Sequence, residues 1–207
     1  MKNKILFLIY LISFLFYKFF LSFTKIITNK ETKVKRLNLY NIYENKNKNK
    51  KIVLNRSRYK FLITPFTKID NNVYLGNIVQ ASNINLLKTS KITHIFNITN
   101  DIPNYFPYTV EYINIKIKDD GIETFSKEDF LYIKNKFNSI LLNKNNKIFI
   151  HCFAGCSRSV IITCLYIMNA YNLDLNNALY YIYKKRNIIK PSEILYINLL
   201  NYKSNLN

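Results

Sequence analysis

The sequence predicts an α/β domain, and three observations support this prediction. Strand-like and helix-like segments alternate from about residue 61 onward, and a block of helical segments follows them. Hydrophobic residues make up 49% of the 207 positions, which is enough for a substantial core. Between residues 147 and 171, a strand-like run, a glycine-containing loop and a helix-like run follow one another, an arrangement that directs backbone N–H groups toward an anion.

The individual elements follow from apolar periodicity and capping residues. Apolar runs predict strands at residues 73–76, 92–98, 112–117 and 147–150, the first of them closed by Gly76. Helical spacing predicts helices at residues 78–87, 130–142, 158–171, from 174 or 176 to 183, and from 192 to about 202. Ser126 precedes the helix at 130–142 and has Asp129 three residues later, as in a capping box.

Three regions are predicted: a hydrophobic anchor or signal segment at residues 1–24, a basic disordered linker at 25–60, and a folded domain at 61–207. Residues 5–23 are almost wholly apolar and match the roughly 20 residues that cross a bilayer, so we expect an N-terminal hydrophobic helix and membrane association. Positive charge is heavier after this run than before it, which predicts a membrane-anchored protein whose domain faces the cytosol. A secretory or organelle-targeting segment is the alternative.

The formal net charge of +19 favours anionic partners, namely phosphorylated protein, acidic lipid headgroups or nucleic acid. Much of this charge can equally be solvated surface, because Lys and Asn are abundant throughout. Nucleic acid is disfavoured, since base recognition requires exposed aromatic side chains and most Tyr and Phe here fit apolar core faces. The cysteines have neither zinc nor extracellular disulfide spacing, so a reduced compartment is expected.

The segment from His151 to Ser159 carries most of the chemical information in the chain, because it contains a cysteine and an arginine in the pattern Cys-x₅-Arg. If the loop curls around a phosphate, backbone amides can donate to it from Phe153, Ala154, Gly155, Cys156, Ser157 and Arg158. Gly155 permits the tight turn, and the planar guanidinium of Arg158 fits two phosphoryl oxygens.

Cys152 is the predicted nucleophile. The loop amides and the helix dipole should lower the pKa of its thiol well below the ordinary value of ~8.5. Ser159 is placed to hydrogen-bond the sulfur and ease its departure, whereas His151 is expected to support the loop geometry and not to act as a base. Cys164 is predicted to be a core residue, and Cys156 is close enough in sequence to capture an oxidised Cys152 as a disulfide.

An acid must protonate the departing oxygen at neutral pH. Asp119 and Asp120 precede Gly121 in a loop after a predicted core strand, and one of them is the candidate. Asp-Asp-Gly on its own is also typical of an ordinary turn, but the cysteine loop downstream favours the catalytic interpretation.

At these residues the chain resembles the dual-specificity class of cysteine-dependent protein phosphatases. The segment from His151 to Ser159 matches the family's HCxAGxSRS form, and the likeness extends over roughly residues 68–202. Val73-Tyr74-Leu75-Gly76 resembles the family's opening strand, and Ile92 to Ile98 the next one. The aspartate of Ile115-Lys116-Ile117-Lys118-Asp119 aligns with the family's general acid, which favours Asp119 over Asp120.

The resemblance implies a central twisted mixed sheet flanked by helices, no metal or organic cofactor, and a shallow pocket open to phosphoserine, phosphothreonine and phosphotyrosine. The chain departs from the family in its late Arg-Pro…Pro-Asn segment, which is Arg186-Asn187…Pro191-Ser192 here. In the family that Asn braces the phosphate loop, so the shorter Ser192 predicts a less rigid loop. Two other functions stay open: a catalytically silent phospho-residue binder, and a phosphatase for anionic lipid or RNA 5′ ends.

Overall fold

The computed structural model describes residues 63–117 and 122–204. In these ranges one five-stranded sheet has the order β1-β2-β5-β3-β4. Its strands are β1 (Thr67–Lys68), β2 (Val73–Gly76), β3 (His94–Asn97), β4 (Glu111–Asn114) and β5 (Ile148–His151). β1 pairs antiparallel with β2, and the remaining pairs are parallel. The predicted α/β fold with a central mixed sheet is therefore confirmed.

Helices flank this sheet. They are α1 (Ile78–Ala81), α2 (Ile84–Thr89), α3 (Lys127–Leu141), α4 (Arg158–Tyr171), α5 (Leu175–Lys185) and α6 (Glu193–Ser204). No helix within the described ranges is long and apolar enough to cross a membrane. The hydrophobic helix predicted at residues 5–23 and the linker at 25–60 lie outside the described residues.

The capping predictions for two helices are confirmed. Ser126 caps α3 by accepting from Asp129 N at 2.9 Å, while the Asp129 carboxylate accepts from Ser126 N at 2.8 Å. Of the two starting residues considered for α5, Asp174 is the N-cap, and its side chain accepts from Asn177 N at 2.8 Å.

The single helix predicted at 78–87 is wrong, because two short helices occupy this region. Asn83 interrupts the helical path with an extended backbone and caps α2 by accepting from Leu86 N at 3.1 Å. Asn is favoured at such a cap, where its side chain satisfies an amide that has no partner inside the helix. Apolar spacing alone did not reveal this break.

The strand predicted at 112–117 ends early, at Asn114. The period-two pattern that suggested a longer strand is nevertheless a burial pattern, since Ile113, Ile115 and Ile117 are all buried. Ile115 N still donates to Asn97 O at 3.0 Å, after which the chain leaves the sheet. β1 was not predicted, because two residues are too few for a periodic signal.

The central strand β5 is buried along its whole length, as expected for a parallel strand covered on both faces. On one face, Phe149 packs in a cluster with Ala81, Leu87 and Ile95. In another layer of the core, Phe96 of β3 stacks on Phe137 of α3, with ring centroids 4.7 Å apart. The fold thus fixes the end of β5, where the chain turns toward α4.

Candidate active site

The candidate site lies in the loop that joins β5 to α4. β5 ends at His151 and α4 begins at Arg158, as predicted for a strand, loop and helix. β5 lies between β2 and β3 and runs parallel to both, so the carboxyl ends of all three strands meet at one edge of the sheet. That edge is where open α/β sheets place their ligands.

The sulfur of Cys152 is buried at the base of this loop, with the residue 2% exposed. The amide of Gly155 donates to the Cys152 Sγ at 3.3 Å, and the Ser159 Oγ lies 3.2 Å from the same sulfur. Donors that converge on a sulfur stabilise its thiolate more than its thiol. The geometry therefore suits an anionic sulfur.

The loop carbonyls bond away from the sulfur, to donors behind the loop. Phe153 O accepts from Ile78 N at 3.1 Å, and Cys156 O accepts from Lys190 N at 2.6 Å. Between them, Gly155 O accepts from Arg186 Nε at 2.8 Å, and Ala154 O from Arg186 Nη2 at 3.5 Å. With the carbonyls held on the outside, the peptide N–H groups are turned toward the inside of the loop, where an anion would lie.

Gly155 makes this turn possible because its φ is +65°, a left-handed conformation that favours glycine. A Cβ at this position would overlap the carbonyl oxygen of Gly76, lie 2.6 Å from the carbonyl carbon of Gly76 and 2.8 Å from Arg186 Nη2. The loop therefore passes so close to β2 that a side chain does not fit.

Arg158 is the first residue of α4 and is 2% exposed. Its Nη1 donates to Ile117 O at 3.0 Å, so the guanidinium reaches the segment that leaves β4. Ser157 gives α4 no side-chain cap; its hydroxyl accepts from Ser192 N at 3.2 Å instead. The cysteine loop thus leads directly into a helix N-terminus that carries a buried arginine, an arrangement that favours phosphate binding.

His151 is buried at 1% exposure and stacks on Phe149 with ring centroids 5.4 Å apart. Burial lowers the pKa of His151 to about 4; a hydrogen bond to the Cys152 backbone opposes this shift, and the charge of Arg158 adds to it. The imidazole is therefore neutral at physiological pH and serves as a fixed part of the loop.

The family model for the dual specificity phosphatase catalytic domain matches residues 73–205, which include every residue of this loop. The chain belongs to the dual-specificity phosphatase family.

Family members that resemble the chain include two protein phosphatases. Protein phosphatase Slingshot of Drosophila melanogaster is 37% identical over 137 residues, which cover 65% of this chain and 12% of that protein. Human dual specificity protein phosphatase 9 is 31% identical over 137 residues, which cover 65% of this chain and 35% of that protein. The chain thus matches only a minor part of the length of these relatives.

Solved structures show the same fold. The crystal structure of DUSP15 has a TM-score of 0.61 and 28% identity, covering 66% of this chain and 86% of that one. The human tyrosine phosphatase-like serine/threonine/tyrosine-interacting protein has a TM-score of 0.62 and 24% identity, covering 68% and 97%. At this lower identity the likeness concerns the fold alone.

Most of the predicted site residues of this dual-specificity phosphatase domain meet in one loop. The structure brings Cys152, Gly155 and Ser159 into direct contact and places Arg158 at the adjoining helix start. Asp119 and Asp120 lie outside the described residues, as does Gly121.

Sequence reasoning missed the role of Arg186. In the sequence this arginine stands out only as part of a family segment, whereas in the structure it is 1% exposed and bonds two loop carbonyls. The expectation that the shorter Ser192 makes the loop less rigid stays a prediction. Backbone amides of Lys190 and Ser192 hold Cys156 O and Ser157 Oγ, so this segment braces the loop without a long side chain at 192.

Proposed function

We propose that the domain hydrolyses phosphoserine, phosphothreonine and phosphotyrosine monoesters in proteins through a cysteinyl-phosphate intermediate. The observation that carries this proposal is the buried sulfur of Cys152, which accepts from the Gly155 amide and lies 3.2 Å from the Ser159 hydroxyl near the N-terminus of α4. A sulfur in this setting is suited to act as a thiolate nucleophile.

In the first step, the Cys152 thiolate attacks phosphorus. The P–S bond forms while the ester P–O bond breaks, and the departing oxygen takes a proton from a carboxylic acid, for which we propose Asp119. The loop amides and the Arg158 guanidinium would bind the equatorial phosphoryl oxygens throughout. Because Arg158 Nη1 also bonds Ile117 O, two residues before Asp119 in the sequence, the arginine contacts the segment that leads to the acid.

In the second step, water attacks the phosphorus of the intermediate. The Asp119 carboxylate takes a proton from the water, the P–S bond breaks, and inorganic phosphate forms. The sulfur leaves as a thiolate, which Ser159 would stabilise by donating its hydroxyl hydrogen across the 3.2 Å separation. The enzyme then returns to its starting state.

Phosphorylated protein is the proposed substrate class. The relatives are named as protein phosphatases, and the net charge of +19 favours an acidic partner. We propose that neither a metal nor an organic cofactor takes part, because thiolate, arginine and carboxylic acid together supply the nucleophile, the charge stabilisation and the proton.

The test is hydrolysis of an aryl phosphate and of phosphopeptides by the full chain. Cys152→Ser should abolish turnover. Cys164→Ser is the matched control, because Cys164 lies inside α4 and its burial raises the pKa of the thiol, which keeps it protonated. Full activity of the Cys152→Ser variant would overturn the proposal. Phosphopeptide binding without any turnover would instead establish a silent binder, and faster cleavage of phosphoinositide or RNA 5′ phosphate would establish another substrate class.

The acid is assigned by a second pair of variants. Asp119→Ala should lower kcat strongly for substrates with poor leaving groups and much less for those with good ones, because only a poor leaving group requires protonation. Asp120→Ala is the control at the adjacent carboxylate and should stay within a few-fold of the parent. The reverse pattern would move the role to Asp120.

Membrane association through residues 5–23 is a separate proposal that rests on sequence. Nearly uninterrupted apolar character and the excess of positive charge after residue 24 support an anchor with the domain facing the cytosol. The full chain should then sediment with membranes and require detergent for release, while a variant lacking residues 1–24 stays in the supernatant. Recovery of a shortened chain from the lumen or medium would favour the secretory or organelle-targeted alternative.

A further inference from the structure

Arg186 is a buried cation, and the hydrogen bonds that it makes with described residues end on neutral oxygens. Among the described residues, its Nε donates to Gly155 O at 2.8 Å, its Nη1 to Pro65 O at 2.9 Å and Thr67 Oγ1 at 3.1 Å, and its Nη2 to Ala154 O at 3.5 Å. A buried charge without an opposite charge is costly. The cost of burying the Arg186 guanidinium therefore has to be offset by other groups near it.

Among the described residues, two sulfurs of the loop act electrostatically on Arg186. Burial lowers the pKa of Arg186 to about 10, and the charges of Cys152 and Cys156 act in the opposite direction. At pH 7 the guanidinium stays protonated. Since electrostatic attraction is mutual, an arginine that gains from an anionic Cys152 must also favour that anion over the neutral thiol.

A hydrogen-bonded path joins the guanidinium to the sulfur through one peptide group. Arg186 Nη2 bonds the carbonyl of Ala154, and the N–H of the same peptide unit, which belongs to Gly155, points at Cys152 Sγ from 3.3 Å. The shorter bond to Gly155 O, at 2.8 Å, fixes the next carbonyl on the same side. Hydrogen bonds arranged in series polarise one another, so the arginine strengthens the donor that the sulfur receives.

We propose that Arg186 is a positioning residue for the Cys152 thiolate, holding the carbonyls of Ala154 and Gly155 outward so that the loop amides face the sulfur. Its charge also favours the deprotonated sulfur. This inference deepens the proposed function, since it concerns the same nucleophile, but it predicts a property of the sulfur that can be measured without any substrate.

The experiment measures the rate of Cys152 alkylation by iodoacetamide against pH, in the full chain carrying Cys156→Ser, with the product located by mass spectrometry. In this background, Arg186→Gln should raise the pH midpoint of alkylation by about one unit or more, a tenfold loss of thiolate near neutral pH. Arg186→Lys keeps the positive charge but loses the planar guanidinium. Its pH midpoint of alkylation should therefore lie between that of the parent and that of Arg186→Gln. Its kcat should fall about tenfold, with a smaller change in KM.

Thr67→Val is the matched control. It removes a hydrogen bond from the same guanidinium on the side away from the sulfur, so it should lower stability and leave the midpoint unchanged. Urea unfolding of each variant shows whether it is folded. Should Arg186→Gln fail to fold, Arg186→Lys decides the matter.

The proposal is overturned if Arg186→Gln folds and alkylates with the same pH midpoint as the parent, or if Arg186→Lys keeps both the midpoint and the kcat of the parent. It is also overturned if Thr67→Val shifts the midpoint as far as Arg186→Gln does. An Arg186-dependent midpoint in a protein that hydrolyses no phosphoester would preserve this inference while refuting the proposed function. Phosphatase activity in a protein whose alkylation midpoint does not depend on Arg186 would support the proposed function and refute this inference.

Discussion

Replacing Gly155 with alanine tests whether the shape of the loop depends on its close approach to β2. Gly155 has φ +65°, and a Cβ would overlap the backbone carbonyl of Gly76 and lie 2.8 Å from Arg186 Nη2. The carbonyl belongs to a strand whose Gly76 is in register with His151 of the central strand, so it cannot move aside without disturbing the sheet. The loop itself must therefore shift.

The expected cost has two parts. A left-handed conformation costs a residue with a Cβ about 1–2 kcal/mol, and forcing extra volume into a packed site typically costs about 1–3 kcal/mol. The free energy of unfolding should therefore fall by about 2–5 kcal/mol, which a domain stable by about 5–15 kcal/mol can survive. A shift of the loop by about 1 Å should lower kcat/KM about 100-fold or more, because the Gly155 amide would no longer point at the sulfur.

The assay compares kcat/KM on an aryl phosphate with urea unfolding for three proteins: the parent, Gly155→Ala and Asn172→Ala. Asn172 also has a positive φ, of 51°, but it is exposed at the end of α4, about 20 Å along the helix from the loop. Asparagine already carries a Cβ, so Asn172→Ala removes only the preference of Asn for a left-handed backbone; it should cost less stability than Gly155→Ala and leave kcat/KM unchanged. A steric conflict at position 155 is refuted if Gly155→Ala keeps kcat/KM within threefold of the parent and loses no more stability than Asn172→Ala.

Three further outcomes are expected. Ser159→Ala should slow release of the sulfur from the phosphoenzyme and lower kcat about 10–100-fold. The expected readout is a stoichiometric burst of aryl alcohol followed by slow turnover. An equal loss of the burst rate and the steady-state rate would contradict this. Burial lowers the pKa of His151 from 6.5 to about 4, so as the pH falls the imidazole is protonated in the unfolded state before it is protonated in the folded state. The free energy of unfolding should therefore fall by up to about 3 kcal/mol between pH 6.5 and about 4. Urea unfolding across this range should give a flatter pH dependence for His151→Gln, and equal slopes would refute the buried neutral imidazole. Peroxide should oxidise Cys152 to a sulfenic acid, which Cys156 is expected to capture as a disulfide with loss of water. After peroxide treatment, Cys156→Ser should therefore recover less activity than the parent on adding dithiothreitol. Unchanged recovery would exclude that role.

Local chemistry explains which parts of the fold could be predicted from the sequence. The bounds of α4, Arg158–Tyr171, agree with the prediction because the loop residues mark its start, while an apolar run ending near Asn172 marks its end. The break between α1 and α2 could not be predicted, because Asn83 interrupts an otherwise continuous helical spacing and only its cap geometry shows the new start. Short elements are decided by such single bonds, which periodicity does not detect.

The loop was predictable for a related reason, since its function requires fixed residue types at fixed spacing within one short segment. Its support was not predictable, because the donors behind the loop come from distant parts of the chain. Arg186 reaches back 31 residues to Gly155 and 121 residues to Pro65. In the sequence it resembles an ordinary basic residue after an amphipathic helix, where a cation complements the helix dipole.

Backbone donors hold part of the loop whichever side chain stands at position 192. Phe153 O and Cys156 O are held by the backbone amides of Ile78 and Lys190, and Ser157 Oγ by the amide of Ser192 itself. A backbone donor does not depend on which side chain the residue carries, so a shorter residue at 192 removes at most a single side-chain hydrogen bond, worth about 1 kcal/mol. Ala154 O and Gly155 O are different, because both accept hydrogen bonds from the side chain of Arg186. The sensitivity of the loop to substitution should therefore be concentrated at Arg186, so that this residue, and not Ser192, decides whether the amides stay turned toward Cys152.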